Sequence, residues 1–283
     1  MSITPGKLKA LVKERAGGNA ALAQVVVRGY FMERFLERLS RSLWRDRFVI
    51  KGGVLVADIA GRGSRTTMDI DATVRGFSLT SDSALAAVNE ITGIECGDGI
   101  AFRVLHADPI LEASEYEGLR VALVASLGQV RSPLKIDLSA GDAITPRPRI
   151  RLFKRMFEPG GIRLSAYPLE TVIAEKLECI LSRGTANTRM RDYYDVFILR
   201  TEPIDVGILA RAFGNTVKRR RSSASLAGAE SILEEVRRSS TMSRHWAVYS
   251  RKFDYATHIG WDSVVGAVSE TVVKMQAGEK EGP

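Results

Sequence analysis

The chain has 283 residues, 45% of them hydrophobic and 26% charged, a balance that excludes disorder and collagen-like repeats. Its longest uncharged stretch, Ala16 to Val27, is 12 residues, too short for a bilayer span of roughly 20. Its two cysteines exclude a disulfide framework, and the net charge of +8 with a pI near 9.6 favours a polyanionic partner.

In chain order, the first 45 residues read as helical, with Leu8, Leu11 and Val12 and then Phe31, Phe35 and Leu39 on helical spacing. Arg47 to Lys51 is a short apolar strand ending at Gly52-Gly53, and Val54 to Ala60 is one or two helical turns. A polar loop, Gly61 to Thr67, leads into an alternating strand from Met68 to Val74. A helix at Ser81–Ile91 precedes candidate strands at Ala101–Leu105, Arg120–Ala125 and Leu134–Leu138. From Pro168 the character turns helical, with Leu169–Leu181, Met190–Leu199, Val206–Arg221, Leu226–Arg238 and Trp261–Met275, and a polar tail from Gln276. The layout predicts an α/β part over residues 1–165 and a mostly helical part over 166–283. The N-terminus, with Lys7, Lys9, Lys13, Glu14 and Arg15, has no apolar signal-type core, so the expected location is cytoplasmic.

The sharpest local feature is Met68-Asp69-Ile70-Asp71-Ala72. Residues two apart on a strand share a face, so Asp69 and Asp71 project together while Met68, Ile70 and Ala72 point into the core. Adjacent carboxylates repel, and a hard cation such as Mg²⁺ with substrate phosphates removes the conflict. The plain alternative is an exposed strand face with two solvated acids. Leu134-Lys135-Ile136-Asp137-Leu138 repeats the alternation, so a neighbouring position would make Asp137 a third carboxylate able to hold divalent metal. Upstream, Lys51-Gly52-Gly53 joins strand to helix, where bare backbone N–H groups can approach a phosphate or simply form a turn. In the loop before the Asp-x-Asp strand, Arg62, Arg65 and Thr66 either grip a phosphate or are solvated.

Further on, Lys176, Ile180 and Arg183 fall near one helix face; two cations there reach triphosphate oxygens or form an ordinary solvated stripe. Arg191 and Asp195 have intrahelical ion-pair spacing, and Asp192 and Asp195 can instead orient Lys176 and Arg189. Basic charge gathers in two places. Phe213–Phe253 holds nine cations against three acids, and Arg147–Arg163 holds six against Glu158. Phe213, Trp246, Tyr249, Phe253 and Tyr255 offer stacking surfaces for bases or ordinary core packing. The scattered histidines His106, His245 and His258 give no support to a histidine catalyst.

Three segments carry a resemblance. Phe48 to Val74, FVIKGGVLVADIAGRGSRTTMDIDATV, is similar to the nucleotide-binding segment of the AbiEii family, toxins of type IV toxin–antitoxin systems. LKIDLSAGD, Leu134 to Asp142, and YPLETVIAEKLECILSRGTANTRMRDYYDVFIL, Tyr167 to Leu199, resemble its later motifs in the same order. The resemblance implies a nucleotidyltransferase core of the polymerase-beta type with a mixed sheet, followed by a helical domain. It implies that Asp69 and Asp71 are metal ligands and that Asp137 is a third carboxylate which also activates the acceptor hydroxyl. Lys176 matches the family's lysine in AEKL, and Arg191, Asp192 and Asp195 match RDxxD. Where the superfamily often has Gly-Ser, this chain has Gly52-Gly53; the serine contact is missing or comes from Ser64, Thr66 or Thr67. The implied substrate is an NTP with Mg²⁺ or Mn²⁺, and the implied partner a separately encoded antitoxin. The implied acceptor is the 3′ end of tRNA, with inhibition of translation and growth and a role in phage defence. Transfer to a protein or small-molecule hydroxyl, or plain nucleic-acid binding without catalysis, are the alternatives.

Overall fold

Residues 3–61, 65–110 and 118–280 are described by a computed structural model. The chain divides into two units, one of Met1–Asp58, Thr66–Gly141 and Arg149–Ala166, the other of Ile59–Arg65, Asp142–Pro148 and Tyr167–Pro283.

The first unit opens with α1 (Pro5–Ala16) and α2 (Ala20–Arg41), each started by a side-chain cap, Thr4 to the Lys7 amide and Asn19 to the Leu22 amide. Next come β1 (Phe48–Lys51), α3 (Gly52–Ile59), β2 (Ile70–Val74) and α4 (Ser81–Thr92). Strands β3 (Ala101–Ile110), β4 (Gly118–Leu127), β5 (Val130–Ala140), β6 (Arg149–Lys154) and β7 (Gly161–Ala166) complete one sheet of order β3-β4-β5-β2-β1-β7-β6. The sheet is mixed. β2 runs parallel to β5, and β1 parallel to β7, while the remaining neighbours are antiparallel. Ile70, Ala72, Ile136, Leu138, Val121 and Leu123 are all buried on one face of it, with Tyr30, Phe31, Phe35 and Leu39 of α2 supplying large buried side chains to the same core. Arg38 of α2, itself buried, is held by a fork to Asp98 at 2.9 and 2.7 Å.

The second unit is helical: α5 (Leu169–Arg183), α6 (Met190–Leu199), α7 (Val206–Arg220), α8 (Ala229–Arg238), α9 (Ser240–Lys252) and α10 (Trp261–Lys280). Leu177, Ile180, Val196, Leu199, Leu209, Phe213, Val264 and Val268 form its core.

Several boundaries differ from the sequence reading. β2 begins at Ile70, so Asp69 stands just ahead of the strand, and α10 runs on to Lys280 through residues expected to be a tail. The strands β6 and β7, and helix α9, have no counterpart in the sequence reading. β6 alternates as Arg149-Ile150-Arg151-Leu152 and lies at a sheet edge, with Ile150 and Leu152 58% and 56% exposed.

Candidate functional site

Strand register builds the first cluster. Arg120 on β4 stands opposite Asp137 on β5, Asp137 is level with Asp71 on β2, and Asp71 is level with Lys51 on β1. In-register neighbours point to the same side of a sheet, and the flanking residues Ile70, Ala72, Ile136 and Leu138 are buried on the other side. Four strands thus present a cation, two carboxylates and a cation in one row. One step along, Thr73 and Ser139 are level, their hydroxyls lie 3.1 Å apart, and Lys51 donates to the Ser139 hydroxyl at 2.8 Å.

Each carboxylate of the row is held. Arg120 donates to both oxygens of Asp137, from Nε at 2.8 Å and Nη2 at 2.6 Å. The Gly53 amide donates to Asp71 Oδ2 at 3.1 Å, which sets a negative charge at the amino end of α3. Gly52, at φ +61°, makes that approach physically open: a Cβ there would stand 2.1 Å from Asp71 Oδ2. Asp69 is half-buried beside them, and its backbone carbonyl accepts from the Thr67 hydroxyl at 3.1 Å. Burial, and then the Asp137 carboxylate, push Asp69 above its ordinary pKa against the pull of Lys135, Arg120 and Arg28.

A divalent cation fits this donor set in kind. Asp71 and Asp137 are level on adjacent strands, Asp69 precedes Asp71 by two residues, and carboxylate oxygens are the donors a hard cation takes. Among the described residues, no three Asp, Glu, His or Cys side chains are drawn together as a metal-binding group. Asp137 is held by Arg120, and the Gly53 amide donates to Asp71.

The second cluster lies within the helical unit. Lys176 of α5 reaches Asp192 Oδ1 at 3.0 Å and Asp195 Oδ2 at 2.6 Å, both on α6. Arg65 forks onto Asp195 at 2.6 and 3.0 Å, and Arg189 reaches Asp192 at 3.0 Å. Arg65 and the two aspartates are buried, with Asp195 at 0% exposure. Burial alone would raise Asp192, but Lys176 and then Arg189 outweigh it and hold its carboxyl at about 2. Burial likewise opposes the charge on Lys176, and Asp195 and Asp192 reverse this and raise it. Three cations thus face two carboxylates, and the buried Nη1 of Arg65 has no hydrogen-bond partner.

The other expected site residues are spread differently. Arg183 and Thr66 are half-buried, and Arg191 lies over the Phe253 ring at 5.9 Å. Arg62 and Ser64 fall outside the described residues. Burial pushes the Cys179 thiol up to about 12, which leaves it protonated and structural. Phe213 and Trp246 are core residues, and Trp246 donates to the Ile259 carbonyl at 2.8 Å; Phe253 and Tyr255, half-buried, stack on each other at 5.3 Å. Part of the basic excess is internally paired. Arg151 meets Asp58, Arg155 meets Glu37 and Glu158, and Arg220 meets Glu175 and Glu178.

Arg120 escaped the sequence reading, although a signal was there. Leu127-Gly128-Gln129-Val130 is a two-residue hairpin connection with Gly128 at φ +56°, and counting back equally on each side places Arg120 opposite Asp137.

The profile of the family described as "Nucleotidyl transferase AbiEii toxin, Type IV TA system" matches residues 34–267. Among curated proteins none matches. Of solved structures, JHP933 from Helicobacter pylori superposes with a TM-score of 0.50 at 14% identity, covering 91% of this chain and 93% of that one. An antigenic nucleotidyltransferase-like protein from Paracoccidioides brasiliensis gives a TM-score of 0.43 at 13% identity, over 72% of this chain and 92% of that one. At these identities the likeness to JHP933 concerns the fold alone. Among the described residues no helix is long and apolar enough to cross a membrane.

Proposed function

The chain belongs to the AbiEii nucleotidyl transferase toxin family of type IV toxin–antitoxin systems, and on that premise we propose that it transfers a nucleoside monophosphate from an NTP to the 3′ hydroxyl of an RNA, that of tRNA first. The observation that carries this reading is the register that sets Asp71 beside Asp137, with Asp69 adjoining. Asp69, Asp71 and Asp137 would hold Mg²⁺ or Mn²⁺, which when bound screens triphosphate charge and lowers the pKa of an attacking hydroxyl.

The chain's own groups do the rest. Gly52 and Gly53 open the amino end of α3; the Gly53 amide is taken by Asp71, and the remaining N–H groups of that turn would face phosphate oxygens. Lys51 adds a positive charge at the end of β1, level with Asp71. Asp137 accepts the proton of the acceptor hydroxyl as the bond to the α-phosphorus forms and pyrophosphate departs. Lys176 has three N–H donors, two of them committed to Asp192 and Asp195, so one remains for a phosphate oxygen. Asp195, itself held by Arg65, fixes that ammonium, Asp192 helps keep it charged, and Arg183, Arg191 and Thr66 would add nucleotide contacts. A cognate antitoxin is the partner that goes with this activity, and growth arrest through a blocked translation substrate is its consequence.

Purified protein incubated with total RNA, total cell protein and each labelled NTP in Mg²⁺ tests the reading. Label should appear on RNA of tRNA size and be lost with Asp71→Asn, a folded variant by circular dichroism. Label on protein alone with all four NTPs rejects the RNA acceptor, and undiminished transfer by Asp71→Asn rejects the site.

A further inference from the structure

We propose that Arg120 is a positioning residue that keeps Asp137 closed to a divalent cation, so that metal enters only by displacing a guanidinium. The inference rests on the reading of Asp69, Asp71 and Asp137 as the metal-holding carboxylates.

Three observations converge on it. The guanidinium uses two parallel N–H groups on the two oxygens of Asp137, at 2.8 and 2.6 Å, which is the strongest pairing a carboxylate makes with a side chain. It therefore neutralises the charge and occupies the oxygens that a cation would need. The pair is also placed to open. The Arg120 side chain is 39% exposed and that of Asp137 17%, on the sheet face opposite the buried Ile136 and Leu138. A partly exposed ion pair contributes little to folding, so stability alone does not account for a fork at this position. Finally, the register makes Arg120 the only residue level with Asp137 on the β4 side, while Asp71 is level with it on the β2 side. Asp137 thus sits between a cation that forks onto it and the Asp71 carboxylate of the neighbouring strand.

The consequence is a low affinity for metal alone. When Asp137 turns to a cation, the guanidinium is released on the same face, where the negative charge of a metal-bound triphosphate is the natural acceptor for its fork. Metal and nucleotide are then favoured together over metal alone, and Arg120 sets the difference.

Mn²⁺ binding to the full chain without nucleotide, read from the loss of the free-ion electron paramagnetic resonance signal, tests this. Wild type, Arg120→Gln, Arg120→Lys and Asp71→Asn are compared after thermal melts establish that each is folded. Arg120→Gln should bind Mn²⁺ about tenfold or more tightly than wild type, the scale of one charge-assisted pairing. Asp71→Asn should bind more weakly than wild type. Should Arg120→Gln not fold, Arg120→Lys, which keeps the charge but loses the fork, decides with an expected gain of about threefold. Affinity unchanged or reduced in the folded Arg120 variant overturns the proposal, while weaker binding by Asp71→Asn in the same series leaves the metal reading intact. Absence of binding in wild type and the Arg120 variant alike overturns both.

Discussion

Asp71 reaches the first turn of α3 because position 52 has no Cβ and adopts φ +61°, a region that costs other residues about 1 kcal/mol or more. Gly52→Ala adds that strain to a contact of 2.1 Å with the carboxylate, so Asp71 must leave the Gly53 amide. The expected result is a loss of about 1–3 kcal/mol in denaturant unfolding and a larger fall in nucleotidyl transfer than that loss explains. The aspartates of α6 obey different physics. With Asp192 held at about 2 by Lys176 and Arg189, below the unfolded carboxylate, the unfolded state binds the proton first. The stabilisation is therefore complete above about pH 4 and is lost as pH falls toward 2, for about 2 kcal/mol in all. Asp192→Asn should lower stability by that amount at neutral pH, and the gap to wild type should close between about pH 4 and 2. A gap independent of pH would show that the pairing with Lys176 is not what depresses the group.

At the scale of elements, the parts that were read have a repeating buried face, although β7, buried at Ile162, Leu164 and Ala166, has one too and was missed. The Asp-x-Asp strand and its partner announce themselves because Ile70, Ala72, Ile136 and Leu138 alternate with acids and are all buried. Helices α5 and α6 follow from their apolar spacing, down to the residues that start α6. What the sequence alone did not give was long-range. Nothing local tells that Asp195 takes Arg65, 130 residues earlier, or that β6 and β7, though their alternation is local, extend the sheet beyond β1. The cluster at the end of α7 shows the same limit. Arg219, Arg220 and Arg221 all belong to the basic stretch Phe213–Phe253, yet Arg220 is drawn to Glu175 at 3.2 Å and to Glu178 at 2.5 Å, the latter acid being buried. Arg220→Ala should therefore cost about 1–3 kcal/mol by stranding Glu178, measured by thermal unfolding, with no change in the salt dependence of RNA binding.

At the scale of the molecule, the charge left after internal pairing bears on the acceptor proposed. The net charge is +8, and the acids paired with Arg151, Arg155 and Arg220 remove part of the two basic stretches from use. On α9, Arg244 and Arg251 are exposed and seven residues apart, hence on one side of the helix; Arg221, which caps α7, is exposed, as is Lys252 beyond Arg251. One triphosphate cannot occupy so many separated cations, whereas the backbone of an RNA can. Each phosphate contact adds about 0.7 to the slope of log affinity against log salt for single-stranded RNA and about 0.9 for duplex. Arg244→Gln with Arg251→Gln should thus flatten that slope by about 1.4–1.8 and weaken tRNA binding at low salt, while leaving NTP affinity and the melting temperature near wild type. The measurement is tRNA binding by fluorescence anisotropy at several salt concentrations, set beside transfer of labelled NTP at saturating tRNA. An unchanged slope would place the RNA elsewhere on the surface. A reduced slope with transfer restored at saturating tRNA would separate holding the acceptor from the chemistry proposed for Asp69, Asp71 and Asp137.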